Sequence, residues 1–239
     1  MNRHFESTPY CAEGGFSAFG AALLLGICCV TAIVLGVVAS IVGQWFYLVL
    51  IFPLLIGGGL GLVGGWGVKK GNVRSPALAG VAGLLSGVLS MLALHYSNYL
   101  RFCNTIAEVN PIVFQIAENL PEWKANLEKL PPEVQALVPI LDQNPEEAAL
   151  FRVKSFSDYL DAEARQGVSI GRTGRGGGER GMNLGYFGSY IYWMVETLIV
   201  AGISFAIMKA AAGEPFCTQC ESWKEARYLG GLSSPAEDA

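Results

Sequence analysis

From Gly14 to Val68 the chain carries no Asp, Glu, Lys, Arg or His, and from Ser75 to Leu100 the only side chain of that set is His95. Each stretch exceeds the roughly 20 apolar residues that cross a bilayer as a helix. Composition agrees with a lipid environment: 15% of the 239 residues are charged, against about 25% in soluble domains.

The first block is long enough for two helices, with Gly43-Gln44-Trp45 as a break that carries an interfacial Trp. The reading is therefore an all-α integral membrane protein. Its membrane helices fall over about 17–42, 46–67, 76–99 and 186–209, with an extramembrane helical insertion over 100–185. Residues 1–16 and 210–239 form tails. A cleaved signal peptide has an apolar core of only about 7–15 residues, so the first helix is expected to be retained.

Orientation follows from Lys and Arg in short loops. The loop between the second and third spans holds Lys69, Lys70 and Arg74, whereas the turn between the first two holds no charge. This places that loop and both termini in the cytoplasm and the insertion outside, although Arg172, Arg175 and Arg180 before the last span argue the other way. A bacterial inner membrane is the expected setting.

Within the insertion, prolines mark starts of short helices at about 111–119, 121–130 and 132–141, because Pro is tolerated in a first turn and not in a helix middle. The segment is expected to be all helical. A longer helix is expected from Asn144 to Gly167, with Asn144 as cap, Pro145 in the first position and Gly167 at the end. Ala149, Val153, Phe156, Leu160 and Ala164 form its apolar stripe, read as packing against neighbouring helices or the membrane surface.

Charge divides the insertion: residues 102–163 hold four Lys plus Arg against eleven Asp plus Glu, and 164–185 hold four Arg against one acid. The Gly/Arg-rich part lacks the Gly-x-x-x-x-Gly-Lys pattern of a phosphate-binding loop. It reads as a flexible connector, with Arg172, Arg175 and Arg180 as the alternative: a contact for lipid phosphates.

Small residues recur every fourth position: Ala32, Gly36 and Ser40; Gly57, Gly61 and Gly65; Ala79, Gly83 and Gly87. Such ladders let helix backbones approach closely in lipid, either inside one bundle or between copies or partner membrane proteins. Glu196 is the only carboxylate within a span, and an ionisable group there calls for a partner. His95 approaches the same surface, so a His95–Glu196 pair is expected, as a structural clip or as a proton-responsive site.

Six cysteines are present. Cys28 and Cys29 lie within the first span as small apolar residues, and Cys103 stands alone in the insertion. Cys217 and Cys220 form a Cys-x-x-Cys pair, a spacing that lets both sulfurs reach one tetrahedral metal or close a small disulfide. A zinc clip is the expected arrangement, with Cys11 on the same side as third ligand and His4 as candidate fourth, or with pairs from two protomers. A thioredoxin-like dithiol wants a βαβ context that this tail does not offer. Trp223 and Tyr228 are expected at the inner membrane interface.

No complete catalytic constellation is present. The expected role is non-catalytic: a structural or accessory component binding membrane lipids, other membrane proteins or its own copies, with a zinc-stabilised tail. Nucleic acid is not an expected partner. A membrane thiol-disulfide protein using Cys217 and Cys220 is the enzyme alternative, and a proton-linked transporter centred on His95 and Glu196 is the third reading.

Overall fold

The computed structural model describes residues 14–45, 51–107, 120–126, 132–143, 153–170, 182–217, 219–220 and 222–224. Helices α1 (Ala18–Val42), α2 (Ile51–Lys70), α3 (Pro76–Ala107), α4 (Leu120–Ala125), α5 (Pro132–Gln143), α6 (Phe156–Gln166) and α7 (Gly185–Ala212) follow in chain order. Two short antiparallel pairs join them: β1 (Ser169–Ile170) with β2 (Met182–Asn183), and β3 (Phe216–Cys217) with β4 (Ser222–Trp223). Among the described residues α1, α2, α3 and α7 are long and apolar enough to span a bilayer, so the chain is an all-α membrane protein.

The spans go round the bundle in the order α1, α3, α7, α2, with α1 and α7 at opposite corners. Lipid tails are as apolar as leucine, so these helices are held by close packing and interhelical hydrogen bonds rather than by escape from water. All three small-residue ladders face inward. Ala32, Gly36 and Ser40 are buried on α1, and Gly57, Gly61 and Gly65 are buried on α2. On α3, an added Cβ at Gly87 would sit 2.5 Å from Ala201 Cα of α7, and at Gly83 one would sit 2.7 Å from Ser204 O. The Ser204 hydroxyl donates to the Gly83 carbonyl at 2.8 Å, and Ser40 donates to Asn98 Oδ1 at 2.7 Å.

At one end of the bundle the α2–α3 turn carries Asn72 at φ 49, the left-handed region that Asn tolerates better than most residues. The turn buries Val73 completely and lets Arg74 N donate to Gly15 O at 2.9 Å. The start of α1 and the end of α7 share this end, which we term the loop face. Ser17 caps α1 by accepting from Gly20 N at 2.9 Å.

The insertion face differs from expectation. The helix expected over 144–167 is not continuous: α6 starts at Phe156 behind a reciprocal capping box, in which Asp158 N donates to Ser155 Oγ and Ser155 N donates to Asp158 Oδ2. Val153 and Lys154 precede it in non-helical backbone; Asn144, Pro145 and Ala149 lie outside the described residues. Gly167 does end this helix, at φ 78. The segment is not all helical, since β1 and β2 pair where the connector leaves and returns. The helices expected at 121–130 and 132–141 correspond to α4 and α5, joined by a Lys124–Asp142 ion pair at 2.7 Å; residues 111–119 are outside the described set.

Helix α6 lies across α3 and α7. Phe156 and Tyr159 of α6 meet Tyr96, Tyr99 and Phe102 of α3 with ring centroids 5.3–5.7 Å apart. Its far end is tied to α7 by Tyr186 OH donating to Asp161 Oδ1 at 2.7 Å and Val168 N donating to Ser189 Oγ at 3.0 Å. Aromatic seam and polar clasp together fix α6 on the bundle.

If backbone contact holds α3 to α7, Gly87→Leu lowers bundle stability by about 1–3 kcal/mol, the usual cost of overpacking. Gly26→Leu, at a site with nothing within 4 Å, leaves it unchanged. Thermal unfolding in detergent micelles reads the difference, and equal transitions would refute the packing account.

Candidate functional site

The Cys-x-x-Cys pair sits at the tip of a hairpin built directly on the end of α7. Gly213 closes the helix by donating to the Lys209 and Ala210 carbonyls, and Pro215 turns the chain into β3. Phe216 pairs with Trp223 and Cys217 with Ser222, so Cys217 ends β3 and Cys220 lies within the turn between the strands. Lys224 N donating to Pro215 O at 2.8 Å closes the base.

This hairpin is pinned to the α2–α3 turn. The Trp223 indole N–H donates to Lys69 O at 3.2 Å, and Lys69 Nζ pairs with Glu214 at 2.8 Å. The Phe216 and Trp223 rings meet edge to face at 5.2 Å, with the Arg74 guanidinium 5.1 Å from the centre of the Phe216 ring. Trp223, expected at the membrane interface, packs half-buried on the cluster around Leu24, Val68 and Met208. β4 brings its indole over the Lys69 carbonyl, which also accepts from Asn72 N at 3.3 Å in the turn that ends α2.

The two thiols are unequal. Cys217 is held below the ordinary cysteine range, first by the Cys220 thiol donating to its sulfur, then by the backbone N–H of Cys220, that of Gln219 and the nearby Lys224 charge. The same pairing pushes Cys220 up. Backbone N–H groups aimed at a sulfur favour its thiolate, the form that attacks electrophiles and binds metals. Two such sulfurs occupy half of a tetrahedral coordination sphere. Among the described residues no third His, Cys, Asp or Glu joins them. Cys11 and His4 lie outside the described residues; Cys28 is buried within α1, Cys29 is exposed on the same helix, and Cys103 belongs to the α3 extension at the insertion face.

The expected His95–Glu196 pair is not formed. His95 Nδ1 faces Glu163 Oε2 of α6 at 4.0 Å, and its ring packs against Trp193 at 5.0 Å. Glu196 is buried and accepts from the Tyr192 hydroxyl in its own helix. The cause is the capping box at Ser155, which sets the register of α6 so that Tyr159 and Glu163, one turn apart, face α3. Burial raises the Glu163 carboxyl above the ordinary range, opposed by a hydrogen bond from Tyr159. Both facing atoms, His95 Nδ1 and Glu163 Oε2, are buried and make no hydrogen bond. Sequence reading missed Glu163; the Ser-x-x-Asp signature at 155–158 was the signal that would have set its face. Arg172, Arg175 and Arg180 lie outside the described residues.

Comparison with protein-family models, with curated proteins and with solved structures gave no match to this chain.

Two outcomes follow from this geometry. In reduced, metal-free protein, iodoacetamide alkylates Cys217 at lower pH than Cys220, as mass spectrometry of the C-terminal peptide will show; equal rates would contradict the asymmetric pairing. At the other end, Glu163 has a raised folded-state pKa, so its contribution to stability is full below the ordinary carboxylate range and is lost as pH rises through the raised value. Glu163→Gln therefore stabilises the protein at neutral pH and has no such effect in acid, read as the pH dependence of thermal unfolding. A variant less stable than wild type at neutral pH would refute this assignment.

Proposed function

We propose that this chain is a non-catalytic accessory protein of a bacterial inner membrane, whose four-helix bundle presents a thiolate–zinc hairpin on its cytoplasmic face. The observation that carries this reading is the anchoring of Phe216–Trp223 on the α2–α3 turn. A short exposed tail has no reason to be clamped by an ion pair, an indole hydrogen bond and a cation–ring contact unless the turn it presents is used.

Orientation draws on the same face. Lys69, Lys70, Arg74, Lys209 and Lys224 gather there, which agrees with the bias of cytoplasmic segments toward Lys and Arg. Both termini are then cytoplasmic. Zinc suits the donor set because Cys thiolates at this spacing favour a tetrahedral borderline-soft ion. Cys11 and His4 are the candidates to complete it. Gly15 is bonded to Arg74 beneath the hairpin, and the chain between keeps Cys11 within about 14 Å of Gly15. The corresponding pair of a second copy is the other source of ligands. The role that fits is docking a cytoplasmic segment of another membrane protein.

A second reading, a thiol–disulfide protein, is favoured by the unequal thiols of Cys217 and Cys220. The transport reading stood on a His95–Glu196 pair, and with His95 turned to Glu163 it loses that support.

Metal analysis of detergent-purified protein, prepared without chelator or metal-affinity resin, separates the first two. About one zinc per chain or one per two chains, lost in Cys217→Ser/Cys220→Ser, is expected. Zinc-free protein whose pair cycles between dithiol and disulfide would replace the metal reading with the redox one.

A further inference from the structure

An apolar groove of about 640 Å³ runs along the α1–α3 seam on the outside of the bundle, far from the cysteine hairpin. Ile33 and Val37 of α1 form one wall, Leu89, Leu92 and Tyr96 of α3 the other, and Phe156 of α6 covers its end at the insertion face. The volume falls within the roughly 300–1,000 Å³ of small-molecule sites. The groove lies within the spans, so hydrocarbon, not water, is what meets it.

Polarity is confined to one end. Ser97 lines the groove, and one turn further along α3 stands Arg101, whose Nη1 donates to Ser40 O at 3.1 Å. With its own proton on Asn98, Ser40 Oγ can accept from the Ser97 hydroxyl at 3.1 Å, so α1 and α3 are cross-linked near the guanidinium. Among the described residues no carboxylate pairs with Arg101. The acids of α6 are engaged elsewhere: Asp158 in the capping box, Asp161 with Arg165 and Tyr186, and Glu163 against His95. A half-buried cation next in sequence to Leu100 and one turn beyond Ser97, both of which line the apolar groove, with no carboxylate partner among the described residues, matches one ligand chemistry. It needs a phosphate at headgroup depth and an acyl chain below.

We propose that the α1–α3 groove is a binding site for an anionic phospholipid of the insertion-face leaflet, one acyl chain lying between Val37 and Leu92 under Phe156 and the phosphate on Arg101. The net charge of the headgroup matters because a zwitterionic lipid brings its own cation to a site that already has one. Arg101 is held in place by Ser40 before the lipid arrives, so little side-chain freedom is lost on binding. The site is distinct from the Gly/Arg-rich connector and independent of whether the hairpin takes a metal.

The test is native mass spectrometry of the full chain in mild detergent, titrated with dioleoyl-phosphatidylglycerol or dioleoyl-phosphatidylcholine. Wild type is expected to take the first phosphatidylglycerol about fivefold more tightly than phosphatidylcholine, the preference one basic side chain supplies near a lipid surface. Arg101→Gln brings the two affinities together, while Arg101→Lys, which keeps the charge and guards against loss of fold, retains a preference. Val37→Trp fills the groove and weakens both lipids, whereas Leu198→Trp, on the exposed face of α7, changes neither. Wild-type preference in Arg101→Gln, or wild-type affinity in Val37→Trp, overturns the proposal. So does efficient disulfide crosslinking of Leu92→Cys between copies in native membranes, which would show a second chain seated in the groove.

Discussion

The architecture depends on the backbone contact between α3 and α7, where Gly83 and Gly87 meet Ser204 and Ala201 without an intervening side chain. In lipid there is no gain from removing leucines from water, so a helix pair gains only what close dispersion contact and interhelical hydrogen bonds supply. The Ser204–Gly83 hydrogen bond exists because the missing Cβ atoms let a hydroxyl on one helix reach a carbonyl on the other. Helix α2 reaches the opposite side of α7 through Gly57 and Gly61, and α1 reaches α3 through Gly36. With its ladders spent internally, the bundle turns side chains such as Val30, Leu62, Leu85 and Leu198 outward to lipid.

That rigid bundle gives its two ends different characters. The loop face is basic and made of short turns, and it holds a two-stranded hairpin by contacts to backbone that a helix end leaves available. The insertion face is aromatic, with α6 laid across α3 through Phe156 and Tyr159 and clasped to α7 through Asp161 and Ser189. One end carries paired thiols on an anchored hairpin, and the other carries Arg101 bonded to the Ser40 carbonyl beside the α1–α3 groove residues Ser97 and Leu100.

Legibility from sequence followed the range of the interaction. The spans could be read because membrane insertion is decided by local apolar length, and the observed helices differ from expectation mainly by added turns, as in α3, which runs on to Ala107. The inward direction of the small-residue ladders was also readable as one of two options. The break before α6 was missed because the Ser155-x-x-Asp158 capping box lies inside a run whose apolar spacing reads as one continuous helix. The expectation for His95 missed because α6 packs across α3 and brings Glu163 to the imidazole, a contact between residues 68 apart in the chain.

The uncharged runs, the Cys-x-x-Cys spacing and the basic α2–α3 loop are properties of neighbouring residues, and for these the sequence alone determined a four-span membrane protein with a thiol pair in its tail. Which faces meet is a property of residues far apart in the chain, and it was decided only by the fold. Trp223 rests on the Lys69 carbonyl, Glu163 faces His95, and Arg101 of α3 donates to the Ser40 carbonyl of α1. Each of these depends on the rotation and depth of one helix against another. Those are set by the sum of many small packing contacts, which no single motif records.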